Sequence, residues 1–277
     1  MSTLSIALVT RNRPASLRRC LASLRTQDVR VWEVVVADDS DAEHAEQTRA
    51  VAHEFSARVI AGPKRGLYAN RNAAALACTG THIRTMDDDH TLPPGHLAAC
   101  LAEVRRAPEA IWTTGERSYI DGAYFGVAPT ASQLHPSGLG GPVADPLDNW
   151  AIADGSTIYP ATVFASGCRM VEDFCYGSSY LEFGAFLYQR GFRSCCVPGA
   201  LVEHHMEKAT LERGESPEVV ASWMFASLCH NLYFRPHRWR AAKYVLANLL
   251  HSKARRSLLA SLPTILAKAR TRWEKTV

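Results

Sequence analysis

A short strand pattern in the first third of the chain runs directly into three consecutive carboxylates. Thr81 and Ile83 favour β-structure, and the triplet Asp87, Asp88 and Asp89 follows them, with two prolines a few residues later. Because side chains alternate along a strand, Asp87 and Asp89 are expected to point the same way and to repel unless a cation lies between them. Mg²⁺ or Mn²⁺ is commonly held by one or two carboxylates and completed by phosphates and water. The pattern therefore predicts a divalent metal site at a strand end, and a solvated acidic turn is the alternative.

Composition places the chain among globular proteins. Its 277 residues are 47% hydrophobic and 21% charged, and no apolar run reaches the length of a bilayer span. A strand pattern begins almost at residue 1 and leaves no room for a signal peptide, so a cytoplasmic location is expected. The eight cysteines form no Cys-x-x-Cys pair and lie among apolar residues, which predicts reduced, buried thiols.

Charge is divided unevenly along the chain. Residues 235–277 contain eleven Lys and Arg and one acid, a net charge of +10, whereas the remainder carries −6. A basic terminal segment on an acidic body suggests a separate surface role, with an anionic membrane or another polyanion as the first candidate.

The first hundred residues alternate between strand and helix patterns. Residues 4–9 are an apolar strand pattern, a helix pattern follows, and residues 32–37 form a second strand that ends on Asp38 and Asp39. Ligands of open α/β sheets bind beyond the carboxyl ends of the strands, so Thr10, Asp38 and Asp39 are expected at one edge. The alternative is that the acids, Asp41 above all, only cap the next helix.

A third helix pattern, over residues 67–78, carries Arg71 in its first turns. Backbone N–H groups and a guanidinium at a helix start favour a diphosphate, although an ordinary exposed arginine is the alternative. The sequence has no Gly-x-Gly-x-x-Gly after the first strand and no Gly-Lys-Ser/Thr anywhere, so neither a dinucleotide-binding fold nor a P-loop is supported.

Four segments taken together resemble a known family. They read Val-Thr-Arg-Asn-Arg-Pro from residue 9, Val-Val-Val-Ala-Asp-Asp-Ser from residue 34, Gly-Leu-Tyr-Ala-Asn-Arg-Asn from residue 66 and Thr-Gly-Thr-His-Ile-Arg-Thr-Met-Asp-Asp-Asp from residue 79. In this order they resemble the family-2 glycosyltransferases of the GT-A fold, over about the first hundred residues. The resemblance implies an α/β, Rossmann-like three-layer sandwich with a mostly parallel central sheet, here followed by a C-terminal helical appendage.

The resemblance also implies roles for particular residues. The nucleotide base and ribose would be held by Thr10, Arg11, Asp38 and Asp39. Arg71 would approach the pyrophosphate, and Asp87 and Asp89, with Asp88 between them, would hold the metal that bridges the two phosphates. One departure is that the usual Asp-Asp-Gly-Ser has lost its glycine, since Ser40 directly follows Asp39.

The second half of the chain departs further from the family. The family commonly begins a helix with Glu-Asp and uses the aspartate as general base, but Ser179 and Tyr180 stand at these positions. Glu182 is the first candidate for the base, and Glu172 and Asp173 from the preceding loop are the alternatives. A strand expected over residues 164–170 leads to this region.

Two further features of this half suggest binding roles. His204 or its neighbour His205, in a Glu-His-His run at a strand end, is expected to assist metal or diphosphate binding, with a structural hydrogen-bonding role as the alternative. Residues 118–160 have little periodicity, which is typical of a functional or mobile loop. Its aromatic and acidic residues are candidates for an acceptor platform or for packing the loop to the body: Tyr119, Tyr124, Trp150, Asp154 and Tyr159.

These patterns predict a catalytic domain over residues 1–215 and a basic helical extension over residues 216–277. Within the domain, residues 1–115 form the nucleotide-sugar and metal half and residues 116–215 the acceptor half. In the extension, a helix over residues 239–262 is expected to be interrupted by Pro263. Its apolar stripe and basic face favour either peripheral contact with the inner face of a membrane or packing against the body or a second subunit in a homodimer.

The predicted function is transfer of a sugar from a nucleotide-diphosphate donor to an acceptor hydroxyl, with inversion and with Mg²⁺ or Mn²⁺. A UDP-sugar is favoured by family association. The acceptor is a glycan, a lipid-linked molecule or a small molecule, and no nucleic acid partner is expected. The alternatives are a glycosyltransferase-like protein that binds sugar nucleotides without transferring them, and a nucleotidyltransferase, for which the glycine-rich loop after the first strand is missing.

Overall fold

The computed structural model describes residues 2–208 and 216–274. The strands in chain order are β1 (Leu4–Thr10), β2 (Glu33–Asp38), β3 (Arg58–Ala61), β4 (His82–Asp87), β5 (His90–Thr91), β6 (Ile111–Ile120), β7 (Ala123–Ala128), β8 (Gln133–Leu134), β9 (Gly140–Gly141), β10 (Thr157–Pro160) and β11 (Ser194–Met206). Nine of them form one sheet in the order β3-β2-β1-β4-β10-β6-β11-β5, with β7 paired to β6, and β8 pairs with β9 separately.

Helices cover both faces of this sheet. They are α1 (Pro14–Arg25), α2 (Ala42–Glu54), α3 (Leu67–Ala77), α4 (His96–Arg106), α5 (Ala161–Ala165), α6 (Ser179–Gln189), α7 (Pro217–Cys229), α8 (Arg238–His251) and α9 (Arg255–Glu274). A short π-helical segment, His230–Phe234, joins α7 to α8.

Strand β1 shows why the chain forms three layers. All seven of its residues are buried, as expected for a strand that is covered on both faces. Ile6 and Leu8 belong to a cluster that includes α1 and α4, whereas Ala7 and Val9 belong to a second cluster that includes α3, α6, α7 and α9. The predicted fold class, an α/β sandwich with a C-terminal helical region, is confirmed.

The carboxyl ends of three parallel strands meet at one edge of the sheet. β1 pairs in parallel with β2 and with β4, so that Thr10 lies opposite Asp38 and Val9 lies opposite Asp87. The next strand on this side, β10, runs antiparallel to β4. The polar residues that follow β1, β2 and β4 are therefore close together, as the strand pattern predicts.

Some predicted elements are wrong in the second half of the chain. The strand expected over residues 164–170 is absent from the described residues. The strand of this region, β10, lies earlier in the chain and ends at Pro160, and the helix α5 begins directly after it. The irregular loop expected over residues 118–160 contains the end of β6, the hairpin strand β7 and β10. The strand that carries the Glu-His-His run is β11, and its pairing with β6 has an irregularity between Cys196 and Leu201.

The C-terminal helices also differ from the prediction. Pro263 lies inside α9 and does not interrupt it, and the break falls instead at residues 252–254, between α8 and α9. α9 is retained as one helix because Leu258, Ile265, Ala269 and Trp273 form a buried stripe. The domain boundary predicted at residue 215 falls among residues 209–215, outside the described residues. Within the described residues, the longest helices are too short or too polar to cross a membrane.

Candidate active site

The three aspartates after β4 have three different environments. Asp87 pairs with the guanidinium of Arg71. Asp88 is fully buried, accepts a hydrogen bond of 2.6 Å from the hydroxyl of Thr10, and pairs with Arg13. Asp89 lies 2.9 Å from the other terminal nitrogen of Arg13. Asp88 therefore joins the ends of β1 and β4, and Asp87 and Asp89 are the members of the triplet that remain partly exposed.

Two histidines complete this edge of the sheet. His90 directly follows the triplet in β5, where it lies opposite His204 of β11. The two imidazole rings meet edge to face, with centroids 4.6 Å apart. Asp89, His90 and His204 each offer one ligand atom, and these three atoms lie within 4.8 Å of one another. The pairing of β5 with β11 thus brings together residues that are more than a hundred positions apart.

The hydrogen bonds of His90 leave one ring nitrogen directed to this cluster. Nδ1 lies 3.1 Å from the carbonyl oxygen of Gly155 and must carry the proton to donate to it. Nε2 is consequently an unprotonated acceptor, and it is buried without a hydrogen-bond partner among the described residues; the same holds for Oδ1 of Asp89. Unpaired buried acceptors of this kind fit a metal ion, because imidazole nitrogen and carboxylate oxygen are both metal ligands.

The set of candidate ligands is therefore Asp89, His90 and His204, with Asp87 beside it. A Cβ atom placed on Gly155 would lie 2.5 Å from Oδ2 of Asp87 and 3.0 Å from Cε1 of His90, so both side chains border the same space. The sequence prediction named Asp87, Asp89 and His204 and missed His90. A histidine directly after the acid triplet is the only sequence signal that points to it.

His204 is held between two carboxylates. Its Nδ1 lies 3.0 Å from Oε1 of Glu116, and its Nε2 lies 3.7 Å from Oδ1 of Asp89. Burial alone lowers the pKa of His204, but its interactions with the carboxylates of Asp89 and Glu116 outweigh this effect and raise the pKa to about 10. Burial and the charge of His204 lower the pKa of His90. Without a bound ion, His204 is the cation of this cluster and His90 is neutral.

Arg71 joins Asp87 to a residue of the loop before β10. Its guanidinium is only 1% exposed, and its two terminal nitrogens pair with Asp87 and Asp154. The prediction that Arg71 approaches a diphosphate finds no support in this geometry, since two carboxylates already occupy the buried guanidinium. Arg71 instead sets the positions of Asp87 and Asp154.

The residues predicted to hold the nucleotide lie at the ends of β1 and β2. Oδ1 of Asp38 accepts a hydrogen bond from the amide of Ser40, and Oδ1 of Asp39 accepts one of 2.8 Å from the amide of Lys64. Thr10 is directed to Asp88, and Arg11 is exposed. Thr10 and Arg11 are at the end of β1, which lies between β4 with the acid triplet and β2 with Asp38 and Asp39.

Gly62 makes close approach of the backbone to this site possible. A Cβ atom at this position would lie 2.1 Å from Oδ1 of Asp39 and 2.4 Å from Oδ1 of Asn70, so no larger residue fits without displacing them. Asn70 is itself anchored by a 2.9 Å hydrogen bond from its side-chain amide to the carbonyl of Ala37. The loop after β3 thereby closes against the end of β2.

Glu182, the first candidate for the general base, is used elsewhere. Its side chain is 0% exposed, and it accepts hydrogen bonds from Nε and Nη2 of Arg272, at 3.1 and 3.2 Å, and from Nε1 of Trp273, at 3.0 Å. An acceptor hydroxyl has no access to such a carboxylate. The structure corrects this prediction: Glu182 ties α6 to α9.

The two alternative bases are also in ion pairs. Asp173 pairs with Lys268 of α9, and Glu172 pairs with Arg65 and accepts a 3.0 Å hydrogen bond from the side-chain amide of Asn72. None of the three predicted acids contacts the acid triplet or His204 in the part of the chain that the structure describes. The acids that do lie beside this cluster are Glu116 and Asp154, of which the sequence singled out only Asp154, as part of an acceptor platform.

Sequence comparison extends over a little more than half of the chain, which contains the acid triplet and His90 but not His204. The model of the family described as glycosyl transferase family 2 matches residues 5–159. The uncharacterized glycosyltransferase YwdF of Bacillus subtilis (strain 168) is 31% identical over 105 residues, which are 38% of this chain and 39% of YwdF. The alignment thus spans about two fifths of the length of this relative.

Solved structures share the fold over most of the chain. GalNAc-T7 with UDP, GalNAc and Mn²⁺ has a TM-score of 0.69 and 16% identity, with 86% of this chain and 49% of GalNAc-T7 covered. S. aureus TarS 1–349 in complex with UDP-GlcNAc has a TM-score of 0.65 and 16% identity, with 96% of this chain and 79% of TarS 1–349 covered. At this identity the similarity shows a common fold.

Proposed function

Because the chain belongs to glycosyl transferase family 2, we propose that it transfers a sugar from a nucleotide-diphosphate donor to an acceptor hydroxyl, with inversion and with a divalent metal ion. The observation that carries this proposal is the cluster of Asp89, His90 and His204 at the carboxyl edge of the sheet, in which two buried acceptor atoms have no partner among the described residues. A metal site at this edge lies where open α/β sheets bind their ligands.

Asp89, His90 and His204 would hold the ion, with Asp87 beside them. Two imidazole ligands argue against Mg²⁺, which prefers oxygen ligands. They do not choose among the transition ions, and among these we propose Mn²⁺. The presence of Mn²⁺ and UDP in the GalNAc-T7 structure supports this choice. When bound, the ion supplies positive charge that neutralises the departing diphosphate.

The nucleotide would bind at the ends of β1 and β2. Asp39 has one oxygen held by the amide of Lys64, and its other oxygen remains to accept a hydrogen bond from a ribose hydroxyl. Thr10 lies opposite Asp38 at these strand ends and Arg11 follows Thr10, and Gly62 allows the backbone to come close to Asp39. UDP in two of the similar structures supports a UDP-sugar as the donor.

The surface of the C-terminal helices supports a proposal about the acceptor and the partners. Trp239, Leu246 and Leu250 are more than half exposed on α8, where they lie among Arg and Lys side chains. A surface of this kind fits the anionic face of a membrane. We therefore propose that these helices make peripheral contact with the inner, cytoplasmic face of a membrane and that the acceptor is lipid-linked. The alternative acceptor is a soluble glycan or small molecule, and the alternative use of the helices is a homodimer contact.

Calorimetry and a product assay test the proposed function. UDP is titrated into the protein with Mn²⁺ and with EDTA, and the release of UDP from a panel of UDP-sugars is then measured under the same two conditions. We expect binding and release with Mn²⁺ only. Binding without release from any UDP-sugar would indicate a binding protein, release of pyrophosphate from a nucleoside triphosphate and a sugar phosphate would indicate a nucleotidyltransferase, and absence of both would refute the proposal.

A further inference from the structure

Displacement by an acceptor hydroxyl requires a group that takes its proton, and this group must reach the anomeric carbon beside the metal cluster. The three acids first considered, Glu172, Asp173 and Glu182, are held in ion pairs away from that cluster. Tyr180, at the start of α6, keeps its proton because burial raises the pKa of its hydroxyl above the ordinary value, so it does not act as the base. The candidates that remain are the acids that border the cluster.

Two such acids, Glu116 and Asp154, have free access to solvent over about a third of their side chains. Oε1 of Glu116 accepts hydrogen bonds from Ser118, at 2.6 Å, and from His204, at 3.0 Å. Glu116 therefore already holds the imidazole of His204, and it serves to orient that ring.

Asp154 differs from Glu116 in the hydrogen bonds of its carboxylate. Only its Oδ1 is engaged, by Arg71, and Oδ2 has no hydrogen-bond partner within the described residues. Its backbone neighbour Gly155 accepts the hydrogen bond of His90 and packs against Asp87. The carboxylate of Asp154 is therefore separated from Asp87 by a single guanidinium and stands at the border of the metal cluster.

We propose that Asp154 is the general base of the transfer and that Arg71 is its positioning residue; this assignment rests on the proposed function. In the step, the acceptor hydroxyl gives its proton to Oδ2 of Asp154 while its oxygen forms a bond to the anomeric carbon. The bond between that carbon and the diphosphate oxygen breaks, and its electron pair leaves with the diphosphate. Charge and atoms balance with no further reactant.

The electrostatic setting suits this role. Burial raises the pKa of Asp154 above that of an ordinary aspartate, and the charge of Asp87 adds to this effect, while Arg71 opposes it. A base with a raised pKa accepts a proton more readily near neutral pH. Because Arg71 is buried and holds Asp87 with its other nitrogen, it fixes the distance between the base and the acid triplet.

The test compares Asp154→Asn, Asp154→Glu and the control Asp148→Asn, which makes the same chemical change at an exposed position of the same loop. Binding of UDP with Mn²⁺ is measured by calorimetry, and release of UDP from the UDP-sugar that the wild type uses is followed between pH 5 and 8. We expect Asp154→Asn to bind UDP within about twofold of the wild type and to lose about a hundredfold or more in kcat.

The pH profile separates a base from a structural residue. In the wild type, in Asp148→Asn and at a lower level in Asp154→Glu, kcat should decrease as the pH falls, because the carboxylate becomes protonated. Asp154→Asn should lack this decrease, the acid limb of the profile. Azide, which needs no deprotonation, should act as an acceptor for Asp154→Asn. Undiminished kcat, an unchanged acid limb in Asp154→Asn, or loss of UDP binding in parallel with kcat would overturn the assignment. If the wild type itself releases UDP from no UDP-sugar, the proposed function fails first.

Discussion

The imidazole of His90 meets that of His204 edge to face, although the two residues are brought together only by the pairing of β5 with β11. One ring is anchored by the Gly155 carbonyl and the other by Glu116. Each histidine thus has one nitrogen fixed by the protein and one directed toward Asp89. This arrangement of anchored imidazoles is common around metal ions, where the partner of the outer nitrogen sets the orientation of the ring.

Asp89→Asn should abolish turnover and Mn²⁺-dependent donor binding while the protein remains folded. The substitution removes the one charged oxygen donor of the cluster, and asparagine preserves the shape of the side chain. UDP release and UDP titration with Mn²⁺ measure the effect, and circular dichroism checks the fold. Full activity of this variant at low Mn²⁺ would refute the metal site.

His90→Gln should weaken Mn²⁺ binding by about tenfold or more, since even partners outside the direct ligand shell contribute 10 to 100-fold. His205→Gln is the matched control. His205 is next to His204 in β11, but its ring stacks on Tyr119 and its Nε2 lies 2.9 Å from the hydroxyl of Thr91. Equal Mn²⁺ affinities of the two variants would exclude His90 from the ligand set.

Glu182→Gln should reduce stability and leave the kcat of the folded enzyme nearly unchanged. The buried carboxylate is the partner of Arg272, and breaking a buried pair costs about 3 kcal/mol of the free energy of unfolding. Urea denaturation and steady-state kinetics separate the two effects. A kcat that falls a hundredfold or so at unchanged stability would return the role of general base to Glu182.

Glu33 should make the fold sensitive to acid. Burial raises its pKa, but hydrogen bonds from Thr79, Arg58 and Ser5 outweigh this and lower it to about 2, from an ordinary value of 4.5. The stabilisation is complete above pH 4.5 and is lost as the pH falls toward 2, which amounts to about 3 kcal/mol. Urea unfolding at several pH values should show this loss in the wild type and in the exposed control Glu54→Gln, but not in Glu33→Gln. Parallel curves for all three proteins would contradict the assignment.

The full-length protein should float with vesicles that contain phosphatidylglycerol at low salt and remain unbound to phosphatidylcholine vesicles. Each Lys or Arg near the surface contributes about 1 kcal/mol, and the exposed side chains of α8 add apolar contact. Leu246→Ser with Leu250→Ser should abolish flotation without loss of stability, because both residues are exposed. If the wild type stays unbound at low salt, or if the double variant floats equally well, the membrane proposal is wrong. These substitutions are a sharper test than removal of residues 239–277, which would also remove the buried Trp273.

The sequence predicts those features that depend on local pattern and on the geometry of parallel strands. Short apolar runs, separated by segments with helical periodicity, predict β1, β2 and β4. The shared direction of these strands brings Thr10, Asp38 and Asp87 to one edge of the sheet. The place of His90 and Asp154 depends on long-range pairing, between β5 and β11 and between Arg71 and a distant loop. No periodicity encodes such contacts.

The errors have the same origin. An acid at helical spacing has the same sequence signature whether its carboxylate faces a substrate or a second helix, and the burial of Glu182 by α9 is a tertiary contact over about ninety residues. Pro263 was expected to end a helix because it lacks an amide proton. The apolar stripe of α9 is strong enough to retain the helix around it.

The position of Trp273 has a consequence for how the chain folds during synthesis. The cluster on one face of the sheet, which contains Leu8, is built from residues up to Val202 and can close as soon as these have left the ribosome. The cluster on the other face requires Ile265, Ala269 and Trp273. A nascent chain that ends before α9 therefore exposes the apolar residues of α7 and the part of α6 around Phe186 that α9 covers, and until α9 has emerged it is a substrate for chaperones and for aggregation.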